Sequence, residues 1–161
     1  MSSSNPADAQ AGRALAAAIR YANRSVRSRR ELVAYVSRLD CSAHAAARAV
    51  SRCAALGLVD DPLGARLWAE QWARRGYAAS VIRSKLLAKG FVSGAVDEAA
   101  QTLATPHDEV ARARRLIRGR MPASTDSRQR FRLARLLASH GFDPDVIEQA
   151  LGHESTEPVA S

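Results

Sequence analysis

The stretch KLLAKGF, Lys85 to Phe91, comes back further along the same chain as RLLASHGF, Arg135 to Phe142. Set in register on Gly90 and Gly141, the likeness runs past the quoted letters: Ile82 falls on Leu133, Leu86 on Leu137, Phe91 on Phe142, Val96 on Ile147, Asp97 on Glu148 and Ala99 on Ala150. Apolar residues three or four positions apart lie on one face of a helix. The glycine supplies a left-handed residue that ends the first helix, and the phenylalanine after it folds back onto the last turn. Ser93 and Asp143 then stand where the N-caps of the second helices belong. The repeated object is a helix, a glycine corner and a second helix.

A weaker copy precedes both, with Leu32 in the place of Ile82, Val36 in that of Leu86, and Asp40-Cys41 in place of glycine and phenylalanine. A further helix follows the first copy, from about Pro62 to Arg75, and the second, from about His107 to Arg120; the third copy stops after two helices. With breaks at Asp40, Gly57, Gly76, Gly90, Pro106, Pro122 and Gly141, and an Ala-rich helix from about Ala11 to Tyr21, the chain reads as about nine helices and no strand. The expected fold is all-α: an elongated, curved tandem of three-helix repeats, the last truncated to two helices. Residues 1–10 are expected to form a disordered N-terminal tail, 11–57 a first repeat with an N-terminal helix, 58–106 a linking helix and second repeat, 107–152 a linking helix and third repeat, and 153–161 a disordered acidic tail.

Composition points the same way. A chain of 161 residues that is 47% hydrophobic has enough apolar material for a core, and with only 5% aromatic residues its side chains suit packed helices better than sheets. There are 24 Lys plus Arg against 16 Asp plus Glu, a net charge of +8, and Lys85 and Lys89 are the only lysines. That excess suits a polyanion or an acidic protein surface. No Lys or Arg follows Arg135, and the end of the chain is acidic.

On the helix from His107, the residues Val110, Ala113 and Ile117 share one face and Arg112, Arg115 and Arg118 the other. On the next, Arg128, Arg132 and Arg135 form a stripe opposite Leu133 and Leu137. Solvent-facing charge is the default for an amphipathic helix, but here Asp108, Glu109 and Asp126 are the only acids between His107 and Arg135, too few to neutralise both stripes. Arg130 projects toward the apolar side, which predicts a buried carboxylate partner or a frayed first turn. Further basic groups are the run Arg24 to Leu32 and the set Arg74, Arg75, Arg83, Lys85 and Lys89. Aromatic residues are scarce among them, so contact with single- or double-stranded DNA is expected to be to phosphate, nonspecific and salt-sensitive, with Tyr21, Tyr35 and Tyr77 the candidates for stacking.

Signals for chemistry are weak. Cys41 and His44 have a C-x-x-H spacing, but Cys53 reads as core and no set of four converging ligands is visible, so no metal and no cofactor is expected. There is no Gly-rich phosphate loop, no G-x-S-x-G and no H-E-x-x-H. Asp60-Asp61 before Pro62 fit the cap and dipole of a helix start, and Trp68 and Trp72 fit buried packing. No window approaches the ~18 apolar residues of a membrane span, and the N-terminus lacks a leader pattern. A cytoplasmic, non-enzymatic protein is expected, with monomer as the default state.

The residues from about Ala14 to Gly152 resemble the RecX family, bacterial regulators of the RecA recombinase. The carriers are R-S-x-x-E-L at Arg27 to Leu32, G-L-x-D-D at Gly57 to Asp61, A-x-x-W-A at Ala65 to Ala69, then Gly76, Ile82, Leu86 and Lys89-Gly90, and finally LARLLASHGFDPDVIEQAL from Leu133 to Leu151. The chain departs from the family pattern at Gly64, where an aromatic is usual, at Trp72, at Lys85 and at Asp40-Cys41. The resemblance implies a non-enzymatic protein that lies along the groove of the RecA–DNA filament and opposes its ATPase, strand-exchange and coprotease activities. Arg74, Arg75, Lys85, Lys89, Arg112, Arg115, Arg118, Arg128, Arg132 and Arg135 are the expected contact residues. The alternatives are a helical DNA-binding protein acting independently of RecA, and a repeat scaffold for another acidic protein.

Overall fold

A computed structural model describes residues 6–120 and 126–152 of the chain. Nine α-helices occur among them: α1 Pro6–Arg24, α2 Arg29–Val36, α3 Ala43–Ala55, α4 Asp61–Arg74, α5 Ala79–Ala88, α6 Ser93–Gln101, α7 Pro106–Ile117, α8 Ser127–Ser139 and α9 Pro144–Leu151. A single 3-10 turn, Arg118–Arg120, follows α7, and no strand is present among the described residues. Helix α1 starts at Pro6, inside the stretch expected to be a tail, because its Ala-rich sequence carries helix propensity right back to the proline. The expected break at Pro122 and the tail at 153–161 lie outside the described residues.

The chain forms two compact units, one of residues up to Glu70 with Arg83–Ala99, the other of Gln71–Ile82 with the chain from Ala100 onward. In the first, α1 packs on α2 and α3. Ala14, Ala18 and Ala22 of α1 meet Leu32 and Val36 of α2 and Ala49, Val50 and Cys53 of α3 in one core. In the second unit α7 packs on α8 and α9, and Ala113 and Ile117 meet Leu133, Leu137, Phe142 and Ala150. Each two-helix copy at the ends of the chain therefore closes its core with the helix that precedes it, α1 for the first copy and α7 for the third.

The repeat register holds in burial. Leu32, Val36, Ile82, Leu86 and Leu137 are fully buried and Leu133 nearly so. Each such side chain contributes roughly 1.5–3 kcal/mol against exposure. The glycine corners hold too. Gly90 and Gly141 have φ of 84° and 86°. Each donates its N–H to the carbonyl three residues back, Leu87 and Ala138, while Phe91 and Phe142 donate to Leu86 and Leu137, the paired bonds of a Schellman end.

Each corner is seated on the start of the equivalent helix one copy earlier. In the first unit the Ser28 hydroxyl donates to the Lys89 carbonyl at 2.7 Å, and a Cβ on Gly90 would stand 2.8 Å from Arg30 Cδ. In the second, the Ala78 N–H donates to the His140 carbonyl at 3.0 Å, the Ser80 hydroxyl to the Gly141 carbonyl at 3.3 Å, and a Cβ on Gly141 would collide with a Val81 methyl. Ser28 and Ala78 are equivalent in the repeat, as are Lys89 and His140. The two seams are copies of one another.

Side-chain caps close four of these helix starts. Ser28 and Glu31 form a capping box on α2, and Ser42, Thr105 and Asp126 cap α3, α7 and α8. Asp143 occupies the N-cap of α9 as expected, though without a side-chain bond; the Ser93 expectation needs correction, since Ser93 is already the first residue of α6, whose opening bond runs from the Val96 N–H to the Val92 carbonyl. At Gly64 the Phe91 ring from the glycine corner fills the space, lying 2.8 Å from where a Cβ would be.

Candidate nucleic-acid interface

Five arginines of the second unit converge where α7 crosses the corner that ends α4. Gly76 makes this approach possible: the Leu116 side chain lies 3.0 Å from the place a Cβ would occupy. That closeness sets Arg74 and Arg75, from the end of α4, beside Arg115 of α7 and Arg120 of the 3-10 turn, around a concavity of about 420 Å³ whose base includes Arg112. Among the described residues no acidic side chain lines it. Exposed guanidinium groups gathered in this way suit bidentate contact with phosphate or carboxylate oxygens, an attraction that salt screens over ~8 Å under physiological conditions.

Arg112 corrects the expectation that all three arginines of its stripe face solvent. It is 3% exposed, its guanidinium donates to the Leu103 carbonyl at 2.8 Å and it is paired with Glu109. Glu109 also accepts the Ala79 N–H at 2.8 Å, so the pair ties α7 to the start of α5 within this unit. The helical-wheel angle placed Arg112 outside because it took no account of the loop before α7, whose Leu103 carbonyl draws the side chain in. Arg115 and Arg118 are exposed, and only the former lines the concavity. Arg120 was missed: it lies beyond the regular stripe, and the only hint was the R-G-R run closing α7.

On α8, Arg128, Arg132 and Arg135 are exposed as expected and form a separate stripe. Arg130 does turn inward, but to main chain rather than a carboxylate. It donates to the Leu151 and Gly152 carbonyls at 3.3 and 2.7 Å, satisfying the end of α9. Arg114 does likewise at the Gln149 carbonyl.

The lysines belong to the first unit. Lys85 is half-buried, and Lys89 is paired with Glu31 at 3.2 Å with its ammonium 4.3 Å from the centre of the Trp68 ring. Trp68 in turn donates its indole N–H to the Val26 carbonyl. Lys89 is thus engaged inside its own unit. Within the run from Arg24, Arg27 is tied down similarly, lying over the Tyr21 ring at 4.4 Å and near Glu31 at 3.7 Å, whereas Arg24, Arg29 and Arg30 are exposed. Nor do the tyrosines stand ready for bases: Tyr21 and Tyr35 stack on each other at 4.1 Å, and Tyr77 stacks on His140 at 4.9 Å. What the arrangement offers a polyanion is charge.

Asp60 accepts the Leu63 N–H and Asp61 the Arg29 N–H, both at 2.8 Å, so the acidic pair serves α4 and α2 as structural acceptors. Burial pushes the Cys53 thiol above its ordinary pKa, while Cys41 is half-buried. Among the described residues no group of three His, Cys, Asp or Glu side chains is placed to hold a metal, and no helix is long and apolar enough to cross a membrane.

No family model matches the sequence. It is 32% identical over 142 residues to the regulatory protein RecX of Streptomyces coelicolor, a match covering 81% of this chain and 73% of that protein, and to the same extent to the regulatory protein RecX of Streptomyces lividans. Its fold is similar to the crystal structure of RecX from Lactobacillus salivarius, with a TM-score of 0.74, 18% identity, and coverage of 89% of this chain and 95% of that one. A second crystal structure, of a regulatory protein RecX, gives a TM-score of 0.68 at 20% identity, covering 88% of this chain and 71% of that one. With its repeat register, its glycine corners and relatives at this identity along most of its length, the chain belongs to the RecX family of regulatory proteins.

Proposed function

We propose that this chain is a non-enzymatic regulator of a RecA recombinase, binding along the groove of the recombinase–DNA filament and suppressing its ATPase, strand-exchange and coprotease activities. Membership of the RecX family carries the proposal. The acid-free concavity of Arg74, Arg75, Arg115 and Arg120 supports it, because a filament of protein on DNA presents phosphate and carboxylate to such a surface. Arg118 and the α8 stripe extend the contact. Lys85 and Lys89 contribute through packing and pairing in the first unit, and Arg112 through holding α7 in place.

The test is single-stranded-DNA-dependent ATP hydrolysis by the cognate RecA, titrated with this protein at two salt concentrations. Inhibition is expected well below the concentration at which the protein coats naked DNA. A second reading, a helical DNA-binding protein acting without RecA, is favoured by the same arginine concavity; inhibition only at DNA-coating concentrations would select it. An ATPase rate and filament length unchanged at excess protein would eliminate the regulator.

A further inference from the structure

The position at the two seams of the repeat recurs in the third copy, where the described residues leave it largely exposed. Arg30 in the first copy and Ser80 in the second lie where the glycine corner of the next copy docks. In the repeat register their counterpart in the third copy is Phe131, near the start of α8. Phe131 is 65% exposed, the most exposed large hydrophobic side chain among the described residues. Beside it, Ala134, Ala138, Ile147 and Leu151 line a shallow concavity between α8 and α9.

We propose that the Phe131 face of α8 is a protein-docking surface, and that its occupant is the C-terminal corner of a helix, rich in acidic side chains, on the recombinase itself. This rests on the regulator reading above. Three observations choose the occupant. Both equivalent faces accept a helix C-terminal corner, through donors to the Lys89 carbonyl and to the His140 and Gly141 carbonyls; in the third the counterpart Gln129 N–H already donates to Asp126, which leaves the arginines as the donors. The third face has Arg135 in its lining, with Arg128 and Arg132 exposed on the same helix and one carboxylate, Glu148, on α9; the excess of cations matches the partial negative charge of a helix C-terminus and any carboxylates near it. Arginines of this chain already satisfy helix-end carbonyls, as Arg130 does at Leu151 and Gly152. A second copy of this chain is a poorer match, since its first-copy corner carries Asp40 where both seated corners have a glycine, and the Asp40 carbonyl already accepts from the Gln10 side chain at 3.3 Å. An aromatic ring with a polar rim is the composition of a protein contact, whereas phosphate has no use for Phe131.

Phe131→Ser and Phe131→Leu in the full chain provide the experiment, with three readouts: half-maximal inhibition of RecA ATPase, affinity for naked single-stranded DNA by fluorescence anisotropy, and mass by sedimentation. Phe131→Ser should raise the concentration for half-inhibition by about tenfold or more, the effect of losing one buried aromatic anchor. DNA affinity should change less than about twofold, a few tenths of a kcal/mol, and Phe131→Leu should retain most of the inhibition. Unaltered inhibition by Phe131→Ser overturns the inference and leaves the regulator reading standing. A parallel loss of DNA affinity makes the face a nucleic-acid surface, and self-association that Phe131→Ser abolishes makes it a contact between copies; either overturns the proposal. A wild-type protein inert toward RecA overturns both readings together.

Discussion

The Ser28 hydroxyl both caps α2 and donates to the Lys89 carbonyl, so one side chain closes a helix start in one copy and a helix end in the next. Ser28 is fully buried, and its loss leaves two orphaned main-chain groups. Ser28→Ala should cost about 2 kcal/mol, a cap and a buried bond together. A fall in melting temperature of roughly 4–8 °C in a scanning calorimeter is expected.

The two glycine corners should tolerate alanine unequally. Both pay about 1 kcal/mol for a Cβ at positive φ. At Gly90 the obstacle is the flexible Arg30 side chain, whereas at Gly141 it is a methyl of the branched Val81. Gly141→Ala should therefore lose a further ~1–3 kcal/mol through overpacking. Urea midpoints of the two variants measure the difference, and equal midpoints would refute it.

Arg112 and Arg115 sit on one helix and should separate stability from binding. Arg112→Leu strands Glu109 without its cation and should cost about 3 kcal/mol. Arg115→Leu, at an exposed position, should change stability by less than about 0.5 kcal/mol. It should weaken single-stranded-DNA binding and reduce the salt slope of the binding constant by roughly 0.7 for a lost phosphate contact. Anisotropy titrations across a salt series, beside thermal melts, check both.

Reversing the α8 stripe, Arg128→Glu with Arg132→Glu and Arg135→Glu, should weaken binding to the recombinase–DNA filament without lowering the melting temperature. Exposed arginines have little folded structure to support. A parallel drop in melting temperature would show that the stripe holds the fold rather than the partner.

The thiols should react in order. Cys41 is half-buried, whereas Cys53 is fully buried with its pKa raised, which lowers its thiolate fraction further. Iodoacetamide at pH 8 should label Cys41 first and Cys53 only as the protein unfolds, as read by mass spectrometry. Equal labelling in the native state would count against the core assigned to α3.

The helices were legible because their punctuation is local. A glycine followed by an apolar residue marks a left-handed helix end whatever surrounds it, and the periodic Leu, Ile and Val positions of the copies are the ones the structure buries. What escaped depends on partners distant in sequence or on main chain. Arg130 finds the carbonyls that end α9, and nothing in the order of residues announces an oxygen as its partner. Arg112 was drawn inside by Leu103 and Glu109, although its helical angle points outward. Arg120 enters the concavity because the helix tightens to a 3-10 turn, a change of pitch that a wheel drawn at constant angle omits.

The seams have a consequence for how such a chain can change over generations. At each seam the acceptor is a main-chain carbonyl, of Lys89 in one and of His140 in the other, and the donor is a hydroxyl in the first and a peptide N–H in the second. A carbonyl survives any replacement of its own side chain. Drift can therefore rewrite the residues on either side while the joint persists, so long as the corner glycine stays and the facing position stays small or flexible. The joint is inherited as backbone geometry, and the surfaces around it remain free to diverge toward new partners.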